Sequence, residues 1–326
     1  MGSGFTELAQ LGSQDPKNVR KERYFSGGTR IFRRFKIEWS LHALLLPALI
    51  VTAIFSYGPM YGLIMAFQDF SPVTGFSSPW IGLENFRWLF AQPAFTRTIY
   101  NTLFISIMKI SIGTTASILF AILLNEIRIT VCKRFFQTIV YIPNFISWII
   151  MAGVLQTILA SDGIVNNFLQ LLGMERVMFL VDPNIFPWTM IWTDVWKTFG
   201  FGTVVYLATI TSIDPELYES AVVDGANKFR QIVSITIPLM GPIIVLMVTL
   251  AMGNILSAGF DQIFNLYSPV VYATGDIIDT YLYRLGFQGT QFAVGAAVGL
   301  MRSVVSTILM SLSLFFAYRV ANYKIF

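Results

Sequence analysis

Six long apolar runs alternate with polar segments along the chain, and each is long enough for a helix to cross a bilayer, which takes ~20 residues. The runs are continuous and show no strict alternation of apolar and polar residues, so they predict helices rather than barrel strands. We therefore expect an all-α, polytopic membrane protein with about six transmembrane helices. The six runs cover residues 41–67, 98–124, 136–160, 187–213, 241–264 and 292–318.

Composition supports this class. Hydrophobic residues make up 55% of the chain and charged residues 12%, a balance that a soluble domain of this size could not shield from water. The first apolar run is longer than the apolar region of a secretory signal and lacks a small-residue cleavage site, so we interpret it as a retained span. The single cysteine, Cys132, excludes an internal disulfide, and the single histidine argues against a histidine-based metal site or proton relay.

The basic residues predict the orientation in the membrane. Most of the 22 Lys and Arg residues lie before residue 41, in the 126–135 and 214–240 segments, or after residue 318. Because Lys and Arg are enriched in cytoplasmic loops, both termini and the 214–240 segment are expected to face the cytoplasm. The net charge of +4 therefore reflects membrane topology and does not indicate a nucleic-acid partner.

Two regions follow from this pattern. Residues 1–40 form a polar cytoplasmic arm, and residues 41–326 form the transmembrane domain. At the end of the arm, residues 30–39 alternate bases with aromatics, which predicts a helix lying in the inner headgroup layer. A helix that binds a partner protein is the alternative for this short segment.

The 214–240 segment is a polar, helix-forming island between two apolar runs. Asp214 followed by Pro215 predicts a helix start, because the carboxylate can accept free amide protons and proline loses no hydrogen bond at the first position. Gly225 predicts a left-handed turn that ends this helix near Asp224. A second short helix follows, and Pro238 marks the return to the bilayer. Such an island indicates a surface for a partner protein; an ordinary amphipathic loop helix is the alternative.

Polar side chains inside the apolar runs indicate a cavity or a helix contact, because burying them in lipid is costly. In the fifth run they recur at helical spacing, which predicts one polar face with Phe260 and Phe264 beside it, and the fourth run carries a tryptophan ridge. Sugars suit such walls, since their C–H faces stack on rings and their hydroxyls bind amides and carboxylates. An interfacial aromatic belt and helix–helix contacts are the alternatives. The residues are Asn254, Ser257, Asp261, Asn265, Trp188, Trp192 and Trp196.

Two intramembrane cations, Lys109 and Arg302, require partners. Asp261 could neutralise one of them, or the carboxylate of an acidic sugar could, and the second option favours uronic-acid oligosaccharides as cargo. Asp194 and Lys197 lie one helical turn apart, so we expect them to pair with each other.

Residues 219–226 read ESAVVDGA and are followed by ITIP at 235–238. This pattern closely resembles the cytoplasmic coupling motif of ABC importer permeases, although Ser220 stands where alanine is usual and Ile237 where leucine is usual. More widely, residues 41–326 resemble permeases of the maltose-type superfamily, in the oligosaccharide group that includes LplB-like and alginate-importer permeases. The other segments that carry this likeness are LPALIVTAIFSYGPMYGLIMAFQDF at 46–70, IGLENF at 81–86, YIPNFISW at 141–148 and VWKTFGFGTVVYLATITSIDPELY at 195–218.

The resemblance implies a type I ABC importer permease in which the coupling segment docks into a groove on a nucleotide-binding subunit. Glu219 would make a charged contact there, and Gly225 would allow the tight bend. The coupling residues implied are Glu219, Ser220, Ala221, Asp224, Gly225, Ala226, Ile235 and Pro238, and the predicted cargo-binding residues are Asn254, Asp261, Asn265, Trp192, Trp196, Lys109 and Arg302.

By the same resemblance, the chain is a multi-pass subunit of a bacterial cytoplasmic membrane that imports oligosaccharides by alternating access. Its implied partners are a second permease, two ATPase subunits and an extracytoplasmic solute-binding protein. The sequence contains no G-x-x-x-x-G-K-[ST] phosphate loop, so ATP and magnesium are expected on the ATPase subunits, with no catalytic residue and no cofactor on this chain.

Two other function classes stay open at the level of sequence. An ion-gradient-driven secondary transporter or channel often contains broken midplane helices, and Pro59 and Pro143 are candidate breaks. A membrane-embedded enzyme would need a nucleophile, a metal or an acid–base cluster, for which one histidine and one cysteine offer little.

Overall fold

The computed structural model describes residues 39–321, and two compact units divide the chain, Met1–Gly62 and Leu63–Phe326. Within the described residues the structure is helical, with one isolated antiparallel bridge between Gln68 and Trp80. The predicted all-α class is therefore confirmed. Residues 1–38, and with them nearly all of the predicted arm, lie outside the described range.

The described part of the first unit is one apolar helix whose geometry changes along its length. Helix α1 (Trp39–Thr52) passes into a π-helical turn (Ala53–Tyr57) and then a 3-10 helix (Gly58–Phe67) that continues into the second unit. The change comes just before Pro59, because proline has no N–H with which to continue the α-helical ladder.

The second unit contains helices of very unequal length, from one turn to 34 residues. Short 3-10 helices (Gly75–Ser77 and Pro269–Val271) and π-helical turns (Ile232–Thr236 and Tyr283–Gln288) lie between or within them. The α-helices are α2 (Glu84–Ala91), α3 (Pro93–Glu126), α4 (Thr130–Phe145), α5 (Trp148–Ile158), α6 (Ile164–Leu171), α7 (Phe186–Thr211), α8 (Pro215–Val223), α9 (Lys228–Gln231), α10 (Ile237–Met252), α11 (Phe260–Leu266), α12 (Tyr272–Gly275), α13 (Ile278–Leu282) and α14 (Phe292–Ala321).

Four helical stretches in the described range are long and apolar enough to cross a membrane: His42–Phe67, Pro93–Glu126, Lys228–Met252 and Phe292–Phe315. The pair α4 and α5 makes a fifth if it is counted as one bent span. The predicted fourth span corresponds to α7, which is 26 residues long but is not among these apolar helices. This helix carries both Asp194 and Lys197.

Two predicted spans differ from the structure. The 136–160 run is not straight, because α4 and α5 meet at an angle of 105°. Pro143 lies in the last turn of α4, and the Ser147 hydroxyl accepts a hydrogen bond from the amide of Ile150 to begin α5. The span predicted at 241–264 has different bounds in the structure, where the apolar helical stretch begins at Lys228 and ends at Met252.

The packing of the second unit centres on α7, which lies against α3 along much of its length and also against α4. Close approach to α4 requires Gly200, where a Cβ atom would lie 2.3 Å from the carbonyl oxygen of Val140. The central core contains Ile105 of α3 and Phe186, Met190 and Ile191 of α7, all fully buried. This core fixes the helices that carry the polar residues described next.

Candidate functional site

The predicted coupling helix is present as α8. The Asp214 side chain accepts a hydrogen bond from the amide of Glu216 at 3.0 Å, and Pro215 takes the first helical position. After Val223 the chain turns through Gly225, whose φ of +77° lies in the left-handed region. The amide of Ala226 closes the turn on the carbonyl of Ala221 at 2.8 Å. The local prediction of the helix and of its glycine end is confirmed.

The residues of the coupling motif are available to a partner in different degrees. Among the motif residues, the side chains of Glu219, Ser220, Asp224 and Pro238 are exposed, and so is Gly225. Ala221, Ala226 and Ile235 are half-buried. Apolar side chains extend this surface, since Leu217, Val222 and Val223 are 46%, 60% and 87% exposed. A small exposed surface of mixed polarity thus projects from a short, well-capped helix.

The coupling helix is tied to the helix that follows it. The hydroxyl groups of Tyr218 and Thr236 lie 3.0 Å apart, and the buried Gln231 side chain donates a hydrogen bond to the carbonyl of Ala226. Asn227 caps α9 by accepting from the amide of Arg230. The sequence analysis did not find these contacts, although Tyr218 and Gln231 are polar residues flanking the recognised motif.

The polar residues of the fifth apolar run do not share one helix face. After Met252 the chain leaves the α-helix for turns at 253–259, where Ala258 and Gly259 have φ values of 44° and 88°. Asn254 and Ser257 lie in these turns, whereas Asp261 and Asn265 lie in α11. The prediction of a continuous polar stripe is therefore wrong, because glycine permits a left-handed conformation that interrupts the helix.

A buried cation holds this broken segment. The ammonium of Lys109 donates hydrogen bonds to the carbonyl of Ala258 at 2.9 Å and to the side chain of Gln262 at 2.5 Å. It also lies 3.4 Å from a carboxylate oxygen of Asp194. The Gln262 amide in turn donates to the carbonyl of Met190 and to the hydroxyl of Thr193, both at 2.8 Å. Asp261, which was one candidate partner for Lys109 or Arg302, is not in this group.

The predicted pairing of Asp194 with Lys197 is also wrong. Lys197 is buried, donates to the backbone carbonyl of Asn144 at 3.0 Å and lies 5.2 Å from the ring centroid of Trp148. That position suits a cation, because α4 ends at this point and its last carbonyls carry partial negative charge. Asp194 instead pairs with Lys109 of α3, so its carboxylate and the ammonium of Lys197 have different partners.

Arg302 forms an ion pair with Asp279, and Arg284 forms one with Asp276 at 2.5 Å. Both predicted intramembrane cations, Lys109 and Arg302, therefore have carboxylate partners from the chain itself. Neither Asp261 nor the carboxylate of an acidic cargo is therefore needed to neutralise these cations. The sequence interpretation did not single out Asp276 and Asp279, and the only signal was their position as acidic residues in the stretch after the fifth run.

Aromatic rings form a continuous group that includes Phe260, the neighbour in sequence of the exposed residue Asp261. Neighbouring ring centroids in this group lie between 4.9 Å and 6.0 Å apart. The sequence analysis named two members and missed those contributed from 267–287. The rings belong to Phe260, Phe264, Tyr267, Tyr272, Tyr283 and Phe287.

The tryptophans of α7 are partly exposed. Trp192 and Trp196 are 57% and 48% exposed, and Trp188 meets Phe104 edge to face at 5.5 Å. Among the described residues, no ring contact links these tryptophans to the aromatic group. Asn265 is half-buried and donates a hydrogen bond to the carbonyl of Asp261 at 2.7 Å. Of the predicted cargo residues, Lys109 lies near Asp261, because it bonds to Ala258 and to Gln262, whereas Arg302 pairs with Asp279.

A cavity of about 380 Å³ lies between α3, α7 and α10. Lys109 is on its wall, and the other polar wall residues include Thr114, Ser117, Asn144 and Tyr206. The cavity therefore combines apolar helix surface with a few hydrogen-bonding groups.

Comparison with known proteins decides the class. The family described as "Binding-protein-dependent transport system inner membrane component" matches residues 113–322. The chain belongs to this family.

The permease is similar to the following proteins over most of its length. It is 38% identical over 310 residues to the polygalacturonan/rhamnogalacturonan transport system permease protein YteP of Bacillus subtilis (strain 168), covering 94% of this chain and 95% of that protein. It is 36% identical over 275 residues to Protein LplB of the same organism, covering 84% and 86%. A chain of a solved bacterial alginate ABC transporter, in complex with an alginate pentasaccharide-bound periplasmic protein, matches with a TM-score of 0.83 and 39% identity, covering 91% and 100%.

These findings confirm the predicted resemblance to ABC sugar importer permeases, in the group of the LplB-like and alginate-importer proteins, and the type I permease architecture. The family is a component of transport systems, so the permease is not an enzyme. Membership also favours the importer over the ion-gradient-driven alternative. The permease is a multi-pass protein of the inner membrane.

Proposed function

We propose that the permease imports acidic oligosaccharides of the uronate type. The observation that supports this cargo most directly is that two proteins similar over more than 90% of the chain are named for polygalacturonan/rhamnogalacturonan and for alginate. Polygalacturonan and alginate are both polymers of uronic acids. The proposal rests on these relatives rather than on Lys109 and Arg302, whose charges the chain itself neutralises.

The import cycle uses partner proteins at two surfaces. An extracytoplasmic solute-binding protein delivers the cargo, a second permease completes the transmembrane pathway, and two ATPase subunits hold ATP and magnesium. The ATPase subunits bind the exposed surface of α8, where Glu219 makes the charged contact and Gly225 provides the bend. Both termini and α8 face the cytoplasm, in agreement with the distribution of Lys and Arg.

Cargo passes the turns at 253–259 and the start of α11, where the predicted fifth span is interrupted. The aromatic group stacks on the C–H faces of the sugar rings, and the exposed side chains of Asn254 and Asp261 bind hydroxyls. Trp192 and Trp196, which are exposed on α7, provide further rings on which the sugar can stack, apart from the aromatic group. The irregular backbone at 253–259 fits this role, because non-helical backbone at membrane depth is found where it lines a cavity or is buried in protein.

Reconstitution of the complete complex in proteoliposomes tests the cargo. Solute-binding protein loaded with oligogalacturonate or alginate oligosaccharide should stimulate ATP hydrolysis and drive uptake of the sugar. The matched control is a neutral glucan oligosaccharide of the same length. Stimulation and uptake with the neutral sugar alone would overturn the proposed cargo class, and uptake without ATP would overturn the mechanism.

A further inference from the structure

A π-helical turn lies in the second half of the coupling segment, at Ile232–Thr236. The amide of Ile237 closes it by donating to the carbonyl of Ile232, five residues earlier. Pro238 follows in the first turn of α10 and has no N–H to donate, which disrupts the regular ladder at this point. Single π-helical turns inside α-helices occur frequently at functional sites. Here the turn separates the short α9 from the apolar helix α10.

One side-chain contact joins α8 to this turn. The hydroxyl of Tyr218, in the middle of α8, lies 3.0 Å from the hydroxyl of Thr236, the last residue of the turn. Thr236 is only 4% exposed, so it cannot contact an ATPase subunit bound to the surface of α8. The two residues are separated by 18 positions, and the contact therefore bridges the whole loop between the helices.

The neighbouring contacts hold α9 and do not join α8 to the π-helical turn. Gln231 ties α9 to the turn after α8 through the carbonyl of Ala226, but it does not reach α8 itself. The ion pair of Lys228 with Glu126 links α9 to the end of α3, and both of its side chains are largely exposed. Beyond the π-helical turn, α10 packs against α14 and α7 and ends at Met252, where the broken segment held by Lys109 begins.

We infer that the Tyr218–Thr236 hydrogen bond is a positioning contact through which movement of the coupling helix turns α10 at its π-helical joint. The inference rests on the proposed coupling role of α8. When an ATPase subunit displaces α8, the hydrogen bond transmits the displacement from Tyr218 to Thr236. The backbone bends at the π-helical turn, so α10 moves while α9 stays helical. The displacement then reaches the 253–259 segment at the other end of α10. Tyr218 and Thr236 bind neither nucleotide nor cargo in this scheme.

The test uses the complete complex with Thr236→Val in the permease, which replaces the hydroxyl by a methyl group of similar size. We expect the ATPase subunits to co-purify in normal amount and the sugar transported per ATP hydrolysed to fall about two- to tenfold, the effect of losing one hydrogen bond. Thr236→Ser, which keeps the hydroxyl, should restore most of the ratio. A purely structural role would change complex yield and thermal stability and leave the ratio of transport to hydrolysis unchanged.

Tyr218→Phe provides the second arm. Because both substitutions remove the same hydrogen bond, the double variant should be no worse than either single variant. Normal transport per ATP in both Thr236→Val and Tyr218→Phe would overturn the inference, and so would additive losses. If the ATPase subunits fail to bind the unaltered permease, it is the proposed coupling function that fails, and the two failures are therefore distinguishable.

Discussion

Lys109 and Asp194 form an ion pair, 3.4 Å between ammonium nitrogen and carboxylate oxygen, that joins α3 to α7. Their side chains are 9% and 20% exposed. Through its bonds to Ala258 and Gln262, the same ammonium also holds the broken segment after α10. The relationship explains how irregular backbone is kept in place inside an apolar region, because the lysine satisfies a carbonyl that the interrupted helix leaves free.

Removing one member of this pair should destabilise the permease strongly. Asp194→Leu leaves a buried ammonium without its carboxylate, and such losses cost about 3–5 kcal/mol. Lys109→Met combined with Asp194→Leu should recover only part of that cost, because no uncompensated charge remains but the carbonyl of Ala258 and the side chain of Gln262 lose their donor. Thermal unfolding of the detergent-purified complex measures both variants.

The exposed pair of Lys228 and Glu126 supplies the control for that experiment. With side chains 65% and 42% exposed, it should contribute about 0–1 kcal/mol, and Glu126→Gln should leave the unfolding temperature nearly unchanged. Equal effects from Asp194→Leu and Glu126→Gln would contradict a special role for the buried pair.

Gly200→Ala should separate α7 from α4. The added Cβ would lie 2.3 Å from the carbonyl oxygen of Val140, and backbone atoms cannot move aside as a flexible side chain can. We expect a lower unfolding temperature and a lower yield of assembled complex. Gly241→Ala is the control, since nothing lies within 4 Å of its Cβ position. A Gly200→Ala protein as stable as Gly241→Ala would contradict the close helix contact.

Gly225→Val should weaken coupling through backbone strain alone. No atom of the chain lies within 4 Å of the Cβ position at Gly225, but its φ of +77° costs a residue other than glycine ~1–2 kcal/mol. Gly225→Asn should retain most of the transport, because asparagine tolerates the left-handed region. Uptake by proteoliposomes measures the difference, with membrane insertion checked by complex yield. If the valine and asparagine variants transport equally, the bend is not needed.

Asp261 tests the proposed cargo path. If its exposed carboxylate binds sugar hydroxyls, Asp261→Asn should keep most of the transport, and Asp261→Leu should lower it about tenfold, in keeping with the loss of a hydrogen bond to a charged group. Phe264→Leu should also lower uptake, since the ring lies within 6 Å of three others in the aromatic group. Unchanged uptake in Asp261→Leu and Phe264→Leu would place the path elsewhere.

The coupling helix could be predicted almost residue by residue, because its signals are local. Asp214, Pro215 and Gly225 each determine the conformation of their own short stretch, and the structure shows α8 at Pro215–Val223 with a left-handed glycine after it. The existence of apolar helices was predictable for the same reason, since composition within one run decides it.

The site within the membrane could not be predicted in the same way, because it depends on contacts distant in sequence. Lys109 bonds to residues 149 and 153 positions away, and no spacing rule reaches that far. The break at 253–259 was hidden by apolar residues that continue through it, although Gly253 and Gly259 mark its two ends. Apolar composition predicted a membrane segment there but not whether its backbone stays helical.

Cross-linking from the coupling helix shows whether α8 contacts the ATPase subunit during transport. Cys132 is the single cysteine, so Cys132→Ser gives a cysteine-free permease into which Ser220→Cys, exposed on α8, can be introduced. Phe168→Cys, exposed on α6, is the matched control. We expect a short bifunctional reagent to link the cysteine at position 220, and not the one at position 168, to the ATPase subunit, and ATP binding to change the yield of the cross-link. A link from 168 alone, or none from 220 in an actively transporting complex, would contradict the proposed coupling role of α8.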